Sequence, residues 1–238
     1  MQRRLQLEAE LQAAGDPERA KGLAWFFKTG KGQYGEGDCF LGIRVPVQRK
    51  IALRFQDLSL LDIAKLLASP YHECRFTALE ILVAQYESSP SAEIFRFYLQ
   101  NTSGINNWDL VDTSAPYIVG AHLLTRKRKI LDKLAASENL WERRIAIVST
   151  LRLIKDRQLD DTFRIARKLL PDRHDLTHKA VGWALRETGR QSRAALVEFL
   201  RVNYTLLPRT ALRYAIEHFS PAQRKHLLAG NFDVLLED

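Results

Sequence analysis

Several segments of this chain open long helical runs at a nearly constant spacing, and that spacing constrains the fold more than any other feature. Residues 73–79, 107–112, 141–147 and 177–183 each begin such a run. With Arg75, Trp108, Arg144 and Lys179 set in register, the separations are 33, 36 and 35 residues. A further run opens at Leu207, about 31 residues on. Apolar residues recur three and four apart along nearly the whole chain, and Pro, Gly or Ser/Asp clusters interrupt them, which predicts helices joined by short connections. The predicted helices run from 17–28 to 221–228, the longest being 71–86, 107–124, 140–155 and 176–188. A period near 35 made of helix pairs predicts an all-α fold, a right-handed α-solenoid of HEAT-like repeats in a single domain over 1–238. A lone pair cannot bury its apolar face, and stacking supplies the cover. The Trp, Gly, Tyr and Pro positions of TPR repeats are absent, so HEAT-like is the better description.

The register also gathers chemistry. Trp108 and Asp112 are four apart and share one helical face. In a solenoid, equivalent positions of successive repeats form a row, and the second helix of each pair lines the concave side. Trp108, Arg144 and Lys179 then make one row, and Leu79, Asp112, Val148 and Trp183 the next. The chain has 36 Lys plus Arg against 28 Asp plus Glu, a net charge of +8 and a pI near 9.6. A basic surface of this kind gains affinity for a polyanion by releasing phosphate counterions. Two readings of the residues stand side by side: a concave site, or Asp112 paired with Arg144 across neighbouring repeats, with tryptophans such as Trp141 packed in the interior.

Other classes of function find no support. Cys39 and Cys74 have neither metal-ligand spacing nor a paired framework, as expected of free thiols in the cytoplasm. The first residues mix charge with leucine and form no apolar core of a secretion signal, and no run is long enough to span a membrane. His174 and His178 are four apart, but the first falls in a turn and Asp175 reads as the helix cap, so no metal is expected. No Gly-x-Ser-x-Gly elbow is present, and nothing calls for a cofactor. Residues 29–38 hold four of the chain's 12 glycines and read as a loop or small hairpin. They lack the Gly-Lys-Ser/Thr of a phosphate-cradling loop.

Four blocks in order carry a resemblance over nearly the whole chain. They are Phe40-Leu41-Gly42-Ile43 with Val45-Pro46, then residues 107–112, then Trp141-Glu142-Arg143-Arg144, then residues 179–187 around Trp183. With these the chain resembles the AlkD-type DNA glycosylases, HEAT-like-repeat enzymes that excise alkylated purines. The resemblance implies that Asp112 is the catalytic carboxylate, that Trp108 and Trp183 are aromatic walls against the deoxyribose, and that Arg144 contacts a backbone phosphate. It implies excision of 3-methyladenine and 7-methylguanine from duplex DNA without flipping the base into a pocket; a monomer is the default expectation, and no residue pattern bears on it. A cationic base is already a good leaving group, so one carboxylate suffices where ordinary glycoside hydrolysis uses two.

Lys179, Arg186, Arg190, Arg209 and Arg213 extend a phosphate track under this reading, or form a solvated face under the plainer one. Residues 29–38 depart from the family pattern. Related subfamilies with a hairpin here bind branched DNA with little excision, and Lys31 and Tyr34 are the residues such a hairpin would present to DNA. A non-catalytic binder of branched or damaged DNA and a HEAT-like protein-interaction scaffold are therefore the alternatives.

Overall fold

A computed structural model describes residues 2–232. The chain is all-α, with no strand among the described residues and one isolated parallel bridge between Cys39 and Tyr71. It divides into two compact units, Met1–His122 and Leu123–Asp238.

The first unit contains α1 (Gln2–Ala13), α2 (Pro17–Phe26), α3 (Val45–Leu53), α4 (Leu60–Leu67), α5 (His72–Ser88), α6 (Ala92–Gln100) and α7 (Trp108–Ala115). α5 is its centre, packed against α1, α3, α4 and α7. The reason is legible in its side chains: they are buried on nearly every face, including the charged Glu73 and Arg75. Its neighbours bury one stripe each, as α4 does with Ile63, Leu66 and Leu67 after Ser59 caps its first turn. α1 was not expected from the sequence. It buries only Leu7 and Leu11, one turn apart, too thin a stripe to register as periodicity.

The stretch predicted as one helix over 107–124 is interrupted. α7 begins at Trp108 behind the cap Asn107, gives way to a π-helical turn over Pro116–Gly120 and resumes as α8 (Ala121–Leu123). Pro116 has no N–H to donate to the Asp112 carbonyl four residues back, and its ring crowds that carbonyl, so the ladder widens just after the Trp108–Asp112 turn.

The second unit contains α9 (Lys129–Ala135), α10 (Leu140–Lys155), α11 (Asp160–Leu169), α12 (Asp175–Gln191), α13 (Arg193–Asn203), α14 (Arg209–Ala215) and α15 (Pro221–Leu228). Here the predicted repeat appears as helix pairs: α9 packs on α10, α11 on α12, and the second helices α10, α12 and α14 pack side by side. Gly182 permits the closest of these contacts, since a Cβ there would lie 2.5 Å from the Cβ of Tyr214 and 2.6 Å from the Ala211 carbonyl oxygen. α12 begins at Asp175, the predicted cap, one residue earlier than its predicted start. His174 is the cap, accepting from the Leu176 N–H, while Asp175 lies in the first turn and pairs with Lys179. The basic run at 126–129 is partly structural, because Arg128 donates to the Leu123 and Leu124 carbonyls and pairs with Asp161.

Candidate functional site

Trp108 and Asp112 lie on one face of α7, and both line an open cleft of about 650 Å³ in the first unit. Among the described residues that line it, Glu80, Glu87, Asp109 and Asp112 are acidic, and Arg49 brings a guanidinium. Glu80 is engaged, accepting from the Thr113 hydroxyl at 2.7 Å and from Arg49 Nε at 3.1 Å. The charge of Asp112 also reaches Tyr98, whose phenol is pushed up first by complete burial and further by this carboxylate.

The Trp108 indole is held by stacking. Phe27 lies parallel to it at 5.4 Å between centroids, and the half-exposed Phe26 meets it edge-on at 6.1 Å. Behind Phe27 stand Phe40 at 5.1 Å and the buried His72 ring at 5.0 Å.

His72 has a carboxylate at each ring nitrogen. Nε2 is 2.8 Å from Asp109 Oδ2 and Nδ1 is 3.3 Å from Asp38 Oδ2. Burial alone would lower the His72 pKa, but the hydrogen bonds to Asp109 and Asp38 outweigh it and raise the value to about 9. Asp38 is a buried hub: it also accepts from Arg75 at 2.7 Å and from the Asn106 and Asn107 side-chain amides. Its burial opposes ionisation, yet His72, Arg75 and Asn106 together hold its carboxyl below the usual range.

A second buried carboxylate shapes the loop before α3. Glu73 is fully buried and accepts three successive backbone N–H groups, those of Leu41 at 2.9 Å, Gly42 at 2.7 Å and Ile43 at 3.2 Å. The Phe40–Ile43 block is thus a backbone wrapped around an acid. Gly42 is required there, with φ +88° and a would-be Cβ 2.0 Å from the Asp16 carbonyl oxygen.

The other predicted site residues, Lys31 and Tyr34 apart, belong to the second unit. Trp183 is half-buried on α12. Arg144 is 5% exposed and donates to the Leu176 carbonyl at 2.8 Å, and Trp141 is buried as an interior residue. Lys179 pairs with Asp175 at 2.8 Å. Arg186 pairs with Glu187 and Glu217, Arg190 with Glu187 and His218, and Arg209 donates to the Leu228 carbonyl. Arg213 is exposed. In the glycine-rich segment, which is a series of turns rather than a hairpin, Lys31 is exposed and Tyr34 half-buried. His174 and His178 serve the backbone, the latter donating to the Asp172 carbonyl at 2.6 Å. Among the described residues no group of three His, Cys, Asp or Glu gathers as a metal site, and no helix is long and apolar enough to cross a membrane.

Asp38, Arg49, His72, Glu80 and Asp109 escaped the sequence reading. Asp109, one residue after Trp108, was the one within reach of a spacing argument; Arg49 and Glu80 reach the cleft, and Asp38 and His72 the network behind it, from distant positions that no local period connects.

The sequence profile of the DNA alkylation repair enzyme family matches residues 7–219. The chain belongs to that family. A solved structure described as a predicted DNA alkylation repair enzyme from Enterococcus faecalis superposes with a TM-score of 0.72 at 18% identity, covering 87% of this chain and 97% of that one. At that identity the likeness speaks for the fold. A search of curated proteins finds no match. Family membership gives the chain a role in repair of alkylated DNA and makes DNA its partner. The matched span takes in α7 and the Asp38–His72–Asp109 network as well as α12.

Proposed function

We propose that the protein is a monofunctional alkylpurine DNA glycosylase. It hydrolyses the N-glycosidic bond of cationic purines such as 3-methyladenine and 7-methylguanine in duplex DNA, without drawing the base into a pocket. The observation that carries this reading is the pairing of Trp108 with Asp112 on one helical face, at an open cleft with a surplus of carboxylates. A surface built only to hold phosphates gains nothing from such a surplus, whereas a positive charge developing on deoxyribose is stabilised by it.

In the proposed reaction the alkylated purine leaves as a neutral base, taking the bonding electrons of the glycosidic bond. The sugar passes through an oxocarbenium-like state. Asp112 stabilises that charge and accepts a hydrogen bond from the attacking water, whose proton passes to solvent as the C1′–O bond forms. The indole of Trp108 lies along the sugar and contributes on the order of 1 kcal/mol toward a desolvated cation. No strong general acid is required, because the leaving group is already charged. The family pattern assigns Trp183 and Arg144, both of the second unit, sugar-wall and phosphate roles, and Lys179, Arg186, Arg190, Arg209 and Arg213 are that unit's candidate phosphate contacts.

The test is incubation of the purified protein with methylated duplex DNA and chromatography of the released bases. Release of 3-methyladenine or 7-methylguanine supports the reading. Absence of release together with tight binding to a four-way junction replaces it with a non-catalytic binder of branched DNA. If DNA affinity is negligible and indifferent to salt, an interaction scaffold takes its place. Arg213→Ala is expected to weaken duplex binding and reduce the slope of log K against log salt by about one, without dependence on sequence. An unchanged slope in a binding titration series would remove Arg213 from the phosphate track.

A further inference from the structure

The glycine-rich segment ends on Asp38, and Asp38 is where the chain is tied to the start of α7. It sits 9% exposed between Arg75 of α5 and the Asn106 and Asn107 amides that immediately precede Trp108. His72 completes the tie from the first residue of α5, with one ring nitrogen against Asp38 and the other against Asp109 in the first turn of α7. An ionised carboxylate only accepts hydrogen bonds, so a ring that donates to one at each nitrogen must carry both protons. The backbone supports the same junction, because the Cys39 N–H donates to the Pro70 carbonyl and the His72 N–H to the Cys39 carbonyl.

Two attachments therefore run from one imidazolium to the cleft. Through Asp109 it fixes the first turn of α7, three residues before Asp112. Through a tilted ring contact, 5.0 Å between centroids, it supports Phe27, which stacks on Trp108. We propose that Asp38, His72 and Asp109 form a charged clamp that positions Trp108 and Asp112 for excision, with His72 as the positioning residue and the glycine-rich segment as the means of delivering Asp38. The consequence for excision rests on the glycosylase reading; the clamp itself does not. The charged groups facing His72 are Asp38 from the loop, Asp109 from α7 and Arg75 from its own helix, so two carboxylates and one guanidinium surround one imidazolium. The raised His72 pKa sets the sign of the pH dependence: the folded protein keeps the clamp until pH rises through about 9, and the stability the clamp contributes is complete below about 6.5 and lost over the same rise.

The experiment has one arm that needs no activity. In protein labelled with ¹⁵N at histidine and tryptophan, the His72 ring is assigned by its disappearance in His72→Gln and the Trp108 indole by its disappearance in Trp108→Phe. The wild type is then titrated from pH 6 to 10. Both His72 nitrogens are expected to stay protonated through pH 8, and the Trp108 indole resonance is expected to move with the His72 transition. A His72 ring neutral at pH 7.5, or an indole resonance indifferent to its titration, overturns the clamp. The second arm measures base release by wild type, His72→Gln and Asp109→Asn. Wild-type kcat is expected to fall through about pH 9. The variants are expected to lose roughly 10- to 100-fold in kcat with KM for DNA nearly unchanged, and His72→Gln to lose the alkaline limb as well. Variants that match wild type in kcat and pH profile refute the positioning role. A wild type that releases no base while its His72 and Trp108 resonances titrate together disproves the glycosylase reading and leaves the clamp standing. If His72→Gln fails to fold, the wild-type titration and the near-isosteric Asp109→Asn decide.

Discussion

Asp112→Asn is expected to lower kcat/KM for release of methylated base by about 10²–10³-fold while leaving the melting temperature and the affinity for undamaged duplex close to wild type. Asparagine keeps the shape of the side chain and its capacity to accept a hydrogen bond from water, but it removes the negative charge that opposes the developing positive charge on the sugar. The loss corresponds to about 2.7–4 kcal/mol of transition-state stabilisation, the range found when one preorganised electrostatic group is removed. Duplex binding is expected to stay the same or tighten slightly, since a carboxylate near phosphates repels them. That split distinguishes a catalytic carboxylate from one that merely organises the protein. Base release measured by chromatography, beside a thermal melt and a binding titration, checks it. Excision by the asparagine variant at the wild-type rate would remove Asp112 from the chemistry.

Glu73→Ala is expected to be the most destabilising single substitution in the first unit. Glu73 is fully buried, and its two oxygens accept the N–H groups of Leu41, Gly42 and Ile43. Alanine leaves three backbone donors facing a cavity, and each unsatisfied buried donor costs roughly 1–3 kcal/mol. Allowing for relaxation of the loop, a loss of at least about 3 kcal/mol is expected, which for a chain of this size lowers the melting temperature by about 6–12 °C. Glu73→Gln should fall between the two. Its amide oxygen retains the place of Oε1 toward Gly42 and Ile43, but its NH₂ then faces the Leu41 N–H, donor against donor. Thermal unfolding followed by circular dichroism tests the series, and equal melting temperatures for all three proteins would show that the loop does not depend on this acid.

The repeat spacing and the site differ in how far the sequence disclosed them. The starts of α5, α7, α10 and α12 were legible because helix caps and apolar stripes are local signals, and so was the shared face of Trp108 and Asp112, which follows from the helical pitch. Within the predicted second row, however, Leu79 and Val148 are fully buried whereas Asp112 and Trp183 are not. Register places residues on a helix but does not say what packs over them. The π turn after α7 was signalled by Pro116, yet a proline inside a helical pattern is compatible with a kink, a stop or a widened turn, and contacts with α5 and α6 decide among these.

What the sequence determined by itself is the all-α class, the order of most helices, the family to which the chain belongs and the Trp108–Asp112 face. What only the tertiary structure decided is the company those residues keep: Phe27 against the Trp108 indole, His72 held between Asp38 and Asp109, and Glu73 inside the Phe40–Ile43 loop. The hydrogen bonds that define this company join residues 30 to 69 positions apart. Periodicity reports which face of a helix is apolar. A buried charge takes its partners from whichever elements the packing brings within about 3 Å, and that is fixed only when the helices have stacked.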